Sequence, residues 1–385
     1  MGDWNFMTAG ESHGPGLVGI VEGVPAGVPL TGDLINEDLA RRQKGYGRGG
    51  RMLIERDQAE IWGGIRHGLT LGSPVALTVR NRDYENWRET MSPDPAPSDR
   101  VVTRPRPGHA DLVGGIKYGH RDLRNVLERA SARETTMRVA LGAVARAFLR
   151  ALGIEVYGHV TSIGDVHAPG AEYSLADIRR AEDSPVRTVD PGTAERMIAA
   201  IEEAKRAGDT LGGTYEVAAF GLPVGLGSYV QWHRRLGSAL AEALLSIPAM
   251  KAVEVGTGFR QAEEPGSLVH DPIWWEEGEG FSRRSNRAGG LEGGITTGMP
   301  LVVRVGMKPL STLMSPLGSF DIDSKEPFLA AVERSDVTAV PPAVVIAEAM
   351  VLHVLAGAML EKFGGDSLGE IQQRVDAWRQ SVREY

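Results

Sequence analysis

Helix-forming and strand-forming segments follow one another irregularly along this chain, and that order constrains the fold more tightly than any other feature. Helical patterning begins at Ser131, whose spacing to Glu134 predicts a capping box. It continues through Met137, Leu141, Val144, Phe148 and Leu152 to a stop at Gly153. Further helices are expected over 193–208, over 232–246, from Pro341-Pro342 to Gly364-Gly365, and from Ser367, where Glu370 completes a second box. Between them, β-rich runs cover 17–24, 73–79, 154–163, 215–220, 251–255 and 301–305. A doubly wound parallel sheet needs regular alternation of strand and helix, so this order predicts an α+β fold.

The 385 residues carry 42 Lys+Arg against 50 Asp+Glu, a formal charge of −8. That balance argues against a general nucleic-acid binder, so no nucleic-acid partner is expected. No uninterrupted run of 18 apolar residues is read, and no membrane-crossing helix is expected. The start, Met1-Gly2-Asp3-Trp4-Asn5-Phe6, lacks the basic and apolar blocks of a leader, which makes the cytoplasm the expected compartment. With no cysteine, disulfides, thiolate catalysis and cysteine-ligated metals are excluded. Neither H-E-x-x-H nor a Walker loop is present. The 49 glycines call for tight turns or close backbone approaches.

Gly10-Glu11-Ser12-His13-Gly14 matches the G-x-S-x-G nucleophile elbow, but only nine residues precede it and Pro15 follows, where an elbow needs a strand before and a helix after. What remains is His13 in a Gly-flanked turn, either a proton donor near neutral pH or a turn residue without a role. Arg41-Arg42-Gln43-Lys44-Gly45-Tyr46-Gly47-Arg48-Gly49-Gly50-Arg51 packs five cations and four glycines into one loop. Converging guanidinium forks suit phosphate and carboxylate; a solvated loop or an RGG-like RNA segment fits the same composition.

Region 99–138 holds nine Lys/Arg against five acids, with His109 after the Arg106-Pro107-Gly108 turn and Ser131 opening a helix beside Arg129 and Arg133. A helix start flanked by cations is a phosphate site or simply a well-capped surface helix. The glycine-rich 286–295 and Lys308-Pro309-Leu310-Ser311-Thr312 provide backbone for a flat ligand or turns between strands. Glu333-Arg334-Ser335-Asp336 reads as a local ion pair or an acid group. The Pro-rich stretch 91–107 is a lid or a connector.

Taken together, Gly10–Gly14, Arg41–Arg48, Arg106-Pro107-Gly108-His109-Ala110-Asp111, Ala130-Ser131-Ala132-Arg133-Glu134-Thr135, the 289–294 loop and Arg334-Ser335-Asp336 resemble the chorismate synthase family over essentially the whole chain. The resemblance implies a 1,4-anti elimination of phosphate from 5-enolpyruvylshikimate 3-phosphate to give chorismate, the last step of the shikimate pathway, requiring reduced FMN without net redox change. It implies one domain over 1–385 with helices between antiparallel sheets, and a homotetramer. His13 becomes the acid for the departing phosphate, His109 a neighbour of the flavin, and Asp336 the carboxylate near flavin N5.

By the same resemblance, Arg42, Arg48 and Arg133 anchor substrate phosphate, carboxylate or NADP. Flavin contacts carry over to Arg129, Ala130, Ser131, Pro248, Ala249, Gly293, Lys308, Pro309, Leu310, Ser311, Thr312 and Arg334. NADPH or a separate flavin reductase would supply the reduced flavin. The rival readings are a flavin-dependent reductase, and an FMN- or RNA-binding protein using the Arg/Gly loop.

Overall fold

The computed structural model describes residues 4–47, 56–95, 100–278, 280–330 and 336–385. Two antiparallel sheets enclose a layer of helices. The first sheet contains β1 (Asn5–Ala9), β2 (Gly16–Glu22), β3 (Ala59–Gly63) and β4 (Val75–Arg80), in the order β1-β2-β4-β3. Its period-two pattern turns Leu17, Val21, Val75, Leu77 and Val79 inward and leaves Val18 and Ile20 on the outer face. The second contains β5 (Glu155–Ile163), β6 (Val166–His167), β7 (Gly213–Phe220), β8 (Met250–Val255) and β9 (Leu301–Met307), in the order β8-β9-β7-β5-β6.

The main helices are α1 (Gly32–Gln43), α2 (Asp111–Tyr118), α3 (Thr135–Arg150), α4 (Pro191–Ala207), α5 (Leu236–Leu245), α6 (Val340–Phe363) and α7 (Leu368–Glu384). Helix α3 lies on the first sheet, α6 lies on β5 and β7, and the two helices pack on each other. The result is the expected α+β sandwich. Two glycines set its thickness: a Cβ on Gly19 would stand 2.5 Å from Met137 Cγ, and one on Gly142 would stand 2.5 Å from the Ala349 Cβ. Hydrogen here lets α3 approach both β2 and α6 more closely than any larger side chain permits.

One expectation needs an addition and two need correction. Helix α6 is long and apolar enough to cross a membrane by length and composition alone, but 94% of its most apolar window is buried inside the protein. Glu348 and His353 interrupt the run, which hides it from a search for unbroken apolar sequence. At Ser131 the side chain caps a 3-10 turn, Ala132–Glu134, by accepting from Arg133 N at 3.3 Å. Glu134 pairs with Arg138 at 3.0 Å, so the predicted capping box is absent there, whereas the box at Ser367 and Glu370 forms. Finally, Arg41 and Arg42 belong to the last turn of α1, capped at its start by Thr31, rather than to a solvated loop.

Both arginines are buried because carboxylates are buried with them. Glu348, fully enclosed on α6, accepts from Arg41 at 2.9 Å, from Arg146 of α3 at 2.7 Å and from Gly158 N of β5 at 2.9 Å. Asp38 of α1 accepts from Arg41 at 2.8 Å and Arg146 at 2.7 Å. Burial pushes the Asp38 carboxyl up, but Arg146 and Arg41 outweigh it and hold the group below its ordinary range.

His353 illustrates the opposite balance. Its Nδ1 accepts from Trp4 Nε1 at 3.1 Å and its ring stacks on Phe6 at 4.1 Å, so it is a neutral ring in an apolar setting, held down to about 4 by burial. An unfolded histidine titrates near 6.5, so the unfolded chain takes up this proton first. Stability is therefore expected to fall as pH drops from about 6.5 through 4, by about 3 kcal/mol from this ring. Urea unfolding at pH 7 and 4.5 should show a smaller difference between the two pH values in His353→Gln than in the wild type.

Candidate active site

A cavity of about 700 Å³ opens where the β1–β2 turn, the 106–110 loop, the start of α3, the 247–250 turn, the end of β9 and the start of α6 converge. Among the described residues, six cationic side chains, Arg42, Arg106, Arg129, Arg133, Arg138 and Lys308, line it with His13 and His109, against two carboxylates, Glu134 and Asp336. Leu127, Ile247, Met307, Leu310 and Ile346 add apolar wall. Such a site suits a polyanion carrying a flat apolar part.

Gly10-Glu11-Ser12-His13-Gly14 is the turn between two antiparallel strands, so no strand–turn–helix elbow exists and Ser12 is not an elbow nucleophile. Asn81 Nδ2 holds the turn by donating to Glu11 O at 3.1 Å and Gly14 O at 2.8 Å. The turn presents His13 to the cavity, its backbone N–H donating to Glu128 Oε2 at 2.9 Å. In the same wall, His109 Nδ1 lies 2.5 Å from Asp111 Oδ1, and Arg106 donates to the same carboxylate through Nε at 2.9 Å. Burial pushes Asp111 up, but the His109 and Arg106 hydrogen bonds more than offset it and hold the group far below the ordinary carboxylate range.

Lys308 Nζ and Ser311 Oγ both donate to Gly108 O, at 3.0 and 2.9 Å, joining the His109 loop to the end of β9. Burial, with the nearby charge of Lys251, lowers the Lys308 pKa. Arg129 donates to the Thr8 and Gly10 carbonyls, at 3.0 and 3.1 Å, and so fixes β1 against the cavity rim. Arg133 donates to Asp57 Oδ1 at 2.6 Å, and Arg42 donates to Thr135 Oγ1 and Ala132 O, both at 2.9 Å. Ala249 sits in the left-handed region at φ 71, a strained position for a residue with a Cβ, while its carbonyl accepts from Lys308 N at 3.0 Å.

Of the residues expected from sequence, the cavity wall contains His13, His109, Asp336, Arg42, Arg133, Arg129, Ala130, Ser131, Pro248, Ala249, Lys308, Leu310, Ser311 and Thr312. Pro309 adjoins the wall without lining it, and Gly293 lies in a separate hairpin turn between Leu291–Glu292 and Ile295–Thr296. Arg48 and Arg334 lie outside the described residues. Sequence reasoning assigned no role to Glu128, Arg106, Asp111 or Trp87. Arg106 and Asp111 stand inside the motif that carried His109, so spacing offered a signal; Glu128 meets His13 across 115 residues and offered none.

The family model described as chorismate synthase matches residues 4–360. A chorismate synthase of Moorella thermoacetica is 60% identical over 380 residues, covering 98% of this chain and 99% of the relative. One of Geobacillus thermodenitrificans is 56% identical over 386 residues, covering 99% and 100%. A solved chorismate synthase crystal structure superposes with a TM-score of 0.81 at 43% identity, covering 99% of both chains. With that frame and this cationic, histidine-bearing cavity, the protein is an enzyme of the carbon–oxygen lyase class. The chain belongs to the chorismate synthase family.

An anion held in the cavity stabilises the folded state by mass action. Millimolar inorganic phosphate is expected to raise the Tm above chloride at matched ionic strength, and Lys308→Met should lose much of that increment. A shift retained in full by the variant would be a general salt effect and would remove the cavity as an anion site.

Proposed function

We propose that this chain catalyses the 1,4-anti elimination of phosphate and a ring proton from 5-enolpyruvylshikimate 3-phosphate, yielding chorismate, with reduced FMN held in the same cavity. The observation that carries the reading is the convergence of both histidines and six cations on one apolar-walled cavity in a chain of net charge −8. The substrate carries one phosphate and two carboxylates, and FMN adds another phosphate, so both ligands call for this donor set. Arg129-Ala130-Ser131, Pro248-Ala249 and Lys308 with Leu310-Ser311-Thr312 are the residues that would hold the flavin, and their mixture of cations, hydroxyls and apolar wall fits it. Pro248 has no N–H, which limits its part to carbonyl or ring contact.

Reduced FMN, when bound, supplies the transient electron density that the elimination needs. The chain's own residues do the rest. His13 gives a proton to the departing phosphate oxygen, while Arg42 and Arg133 supply fixed positive charge along the wall beside it. His109, oriented by Asp111, lines the cavity with Arg106, and Asp336 places a carboxylate in the same wall. We further assign the chain as one catalytic domain, 1–385, in the cytoplasm. We also assign it to a homotetramer, for which the outer face of the first sheet, where Met7, Val18 and Ile20 are exposed side by side, offers an apolar contact surface.

The deciding experiment is anaerobic turnover followed by chorismate absorbance and released phosphate. Product is expected with reduced FMN and not with oxidised FMN or without flavin; equal turnover in all three would overturn the reading. Oxidation of NADPH by the purified protein with oxidised FMN would make the chain its own flavin reductase, and its absence assigns that step to a separate enzyme. His13→Ala and His109→Ala are each expected to lower kcat by more than about tenfold while changing ligand affinity less. A variant that loses affinity alone would remove that histidine from the chemistry.

A further inference from the structure

His13 is gripped on two sides by groups that the proposed reaction does not itself use. Along one edge, its Nδ1 lies 3.0 and 2.9 Å from the two Glu128 oxygens, and Arg124 donates to Glu128 Oε1 at 3.1 Å. The Glu128 side chain is only 1% exposed. Burial pushes this carboxyl up, yet the hydrogen bonds and charge of His13 and the charge of Arg124 more than compensate and leave it below its ordinary value. Over one face, the indole of Trp87 stacks on the imidazole with ring centroids 4.1 Å apart and planes inclined by 29°. The guanidinium groups of Arg100 and Arg124 stand 4.6 and 5.1 Å from the same indole, and Trp87 Nε1 donates to Asp83 at 3.1 Å.

An ionised carboxylate only accepts hydrogen bonds, so a nitrogen facing both of its oxygens carries hydrogen whether the ring is charged or neutral. Nε2 is then the nitrogen of His13 that gains and loses the proton. We propose that Glu128 and Trp87 are positioning residues: Glu128 fixes the hydrogen on Nδ1, and Trp87 fixes the ring plane, so that Nε2 alone serves the cavity. The inference rests on His13 being the acid of the reaction. In that step the electron pair of the breaking C–O bond leaves with the phosphate oxygen, which takes the Nε2 proton, while the electron pair of the breaking ring C–H bond enters the new ring diene and its proton passes to solvent. His13 is left neutral with Nδ1–H still bonded to Glu128, the carboxylate stays ionised throughout, and Nε2 regains a proton from solvent, which balances the ring proton released.

The test is a double-mutant cycle on kcat and KM with reduced FMN and 5-enolpyruvylshikimate 3-phosphate. Glu128→Gln removes the charge that selects the tautomer and is expected to lower kcat on the order of 100-fold with KM within about threefold, the pattern of an interaction made in the transition state. In a His13→Ala background the same substitution should change kcat by less than about twofold, because residues acting as a unit are not additive. Trp87→Phe keeps a stacking ring and should restore most of the kcat that Trp87→Ala loses; this pair stands even if Glu128→Gln fails to fold. Equal losses from Glu128→Gln or Trp87→Ala with and without His13 would make them structural residues and overturn the proposal. Full activity of His13→Ala would instead overturn the assignment of His13 as acid, and this inference with it.

Discussion

Glu348 is the point on which the architecture turns. A fully buried carboxylate at the middle of the longest helix would be untenable alone, and removing one partner from such a pair costs about 3–5 kcal/mol. Its partners are drawn from three other elements: Arg41 of α1, Arg146 of α3 and the backbone of β5 at Gly158. Arg146 extends the link with a 2.6 Å bond to Val156 O, and Asp38 closes it by engaging both arginines. Hydrophobic packing would tolerate these helices sliding along the sheets; directional ionic hydrogen bonds at fixed positions do not. The start of α3 and the end of α1, which bring Ser131 and Arg42 to the cavity, are thereby held in one register.

The cavity follows a similar logic of prior engagement. Arg129, Arg133, Arg42, Arg106 and Lys308 all have partners within the protein, so their charges are held in place before any anion arrives. A ligand need not order five long side chains on binding, and the rotamer entropy that such ordering costs has been met in folding. Positive charge in the wall is thus a property of the fold rather than of the complex.

Much of this was legible in the sequence. The helices of the second half announced themselves through Pro starts, Gly stops and the Ser367 box, and six strands stood out by β-branched content. Local chemistry dominated at those places. Helix α1 went unread because its stripe is thin: Ile35 and Leu39 are its only buried apolar side chains, and its other buried residues are Asp38, Arg41 and Arg42, charges whose partners include Arg146, Glu182, Glu348 and Thr135, all 90 residues or more along the chain. At Glu134 a local rule failed since Arg138, one turn on, competes for the carboxylate. Motif likeness pointed to His13, His109 and Asp336, which the fold gathers on one cavity, but Glu128 and Trp87 reach His13 through long-range geometry that no spacing rule encodes.

The bond between Trp4 and His353 joins residues 349 apart, and Phe6 stacks on the same imidazole. A chain emerging from the ribosome at about 5–20 residues per second waits roughly 20–70 s between synthesising the first strand and the helix that covers it. Throughout that interval the inward face of the first sheet has no α6 to complete the layer beneath it. During that wait α3, which packs on β2, is the cover already made for the first sheet, and Trp4 and Phe6 meet the ring of His353 only once α6 has been added.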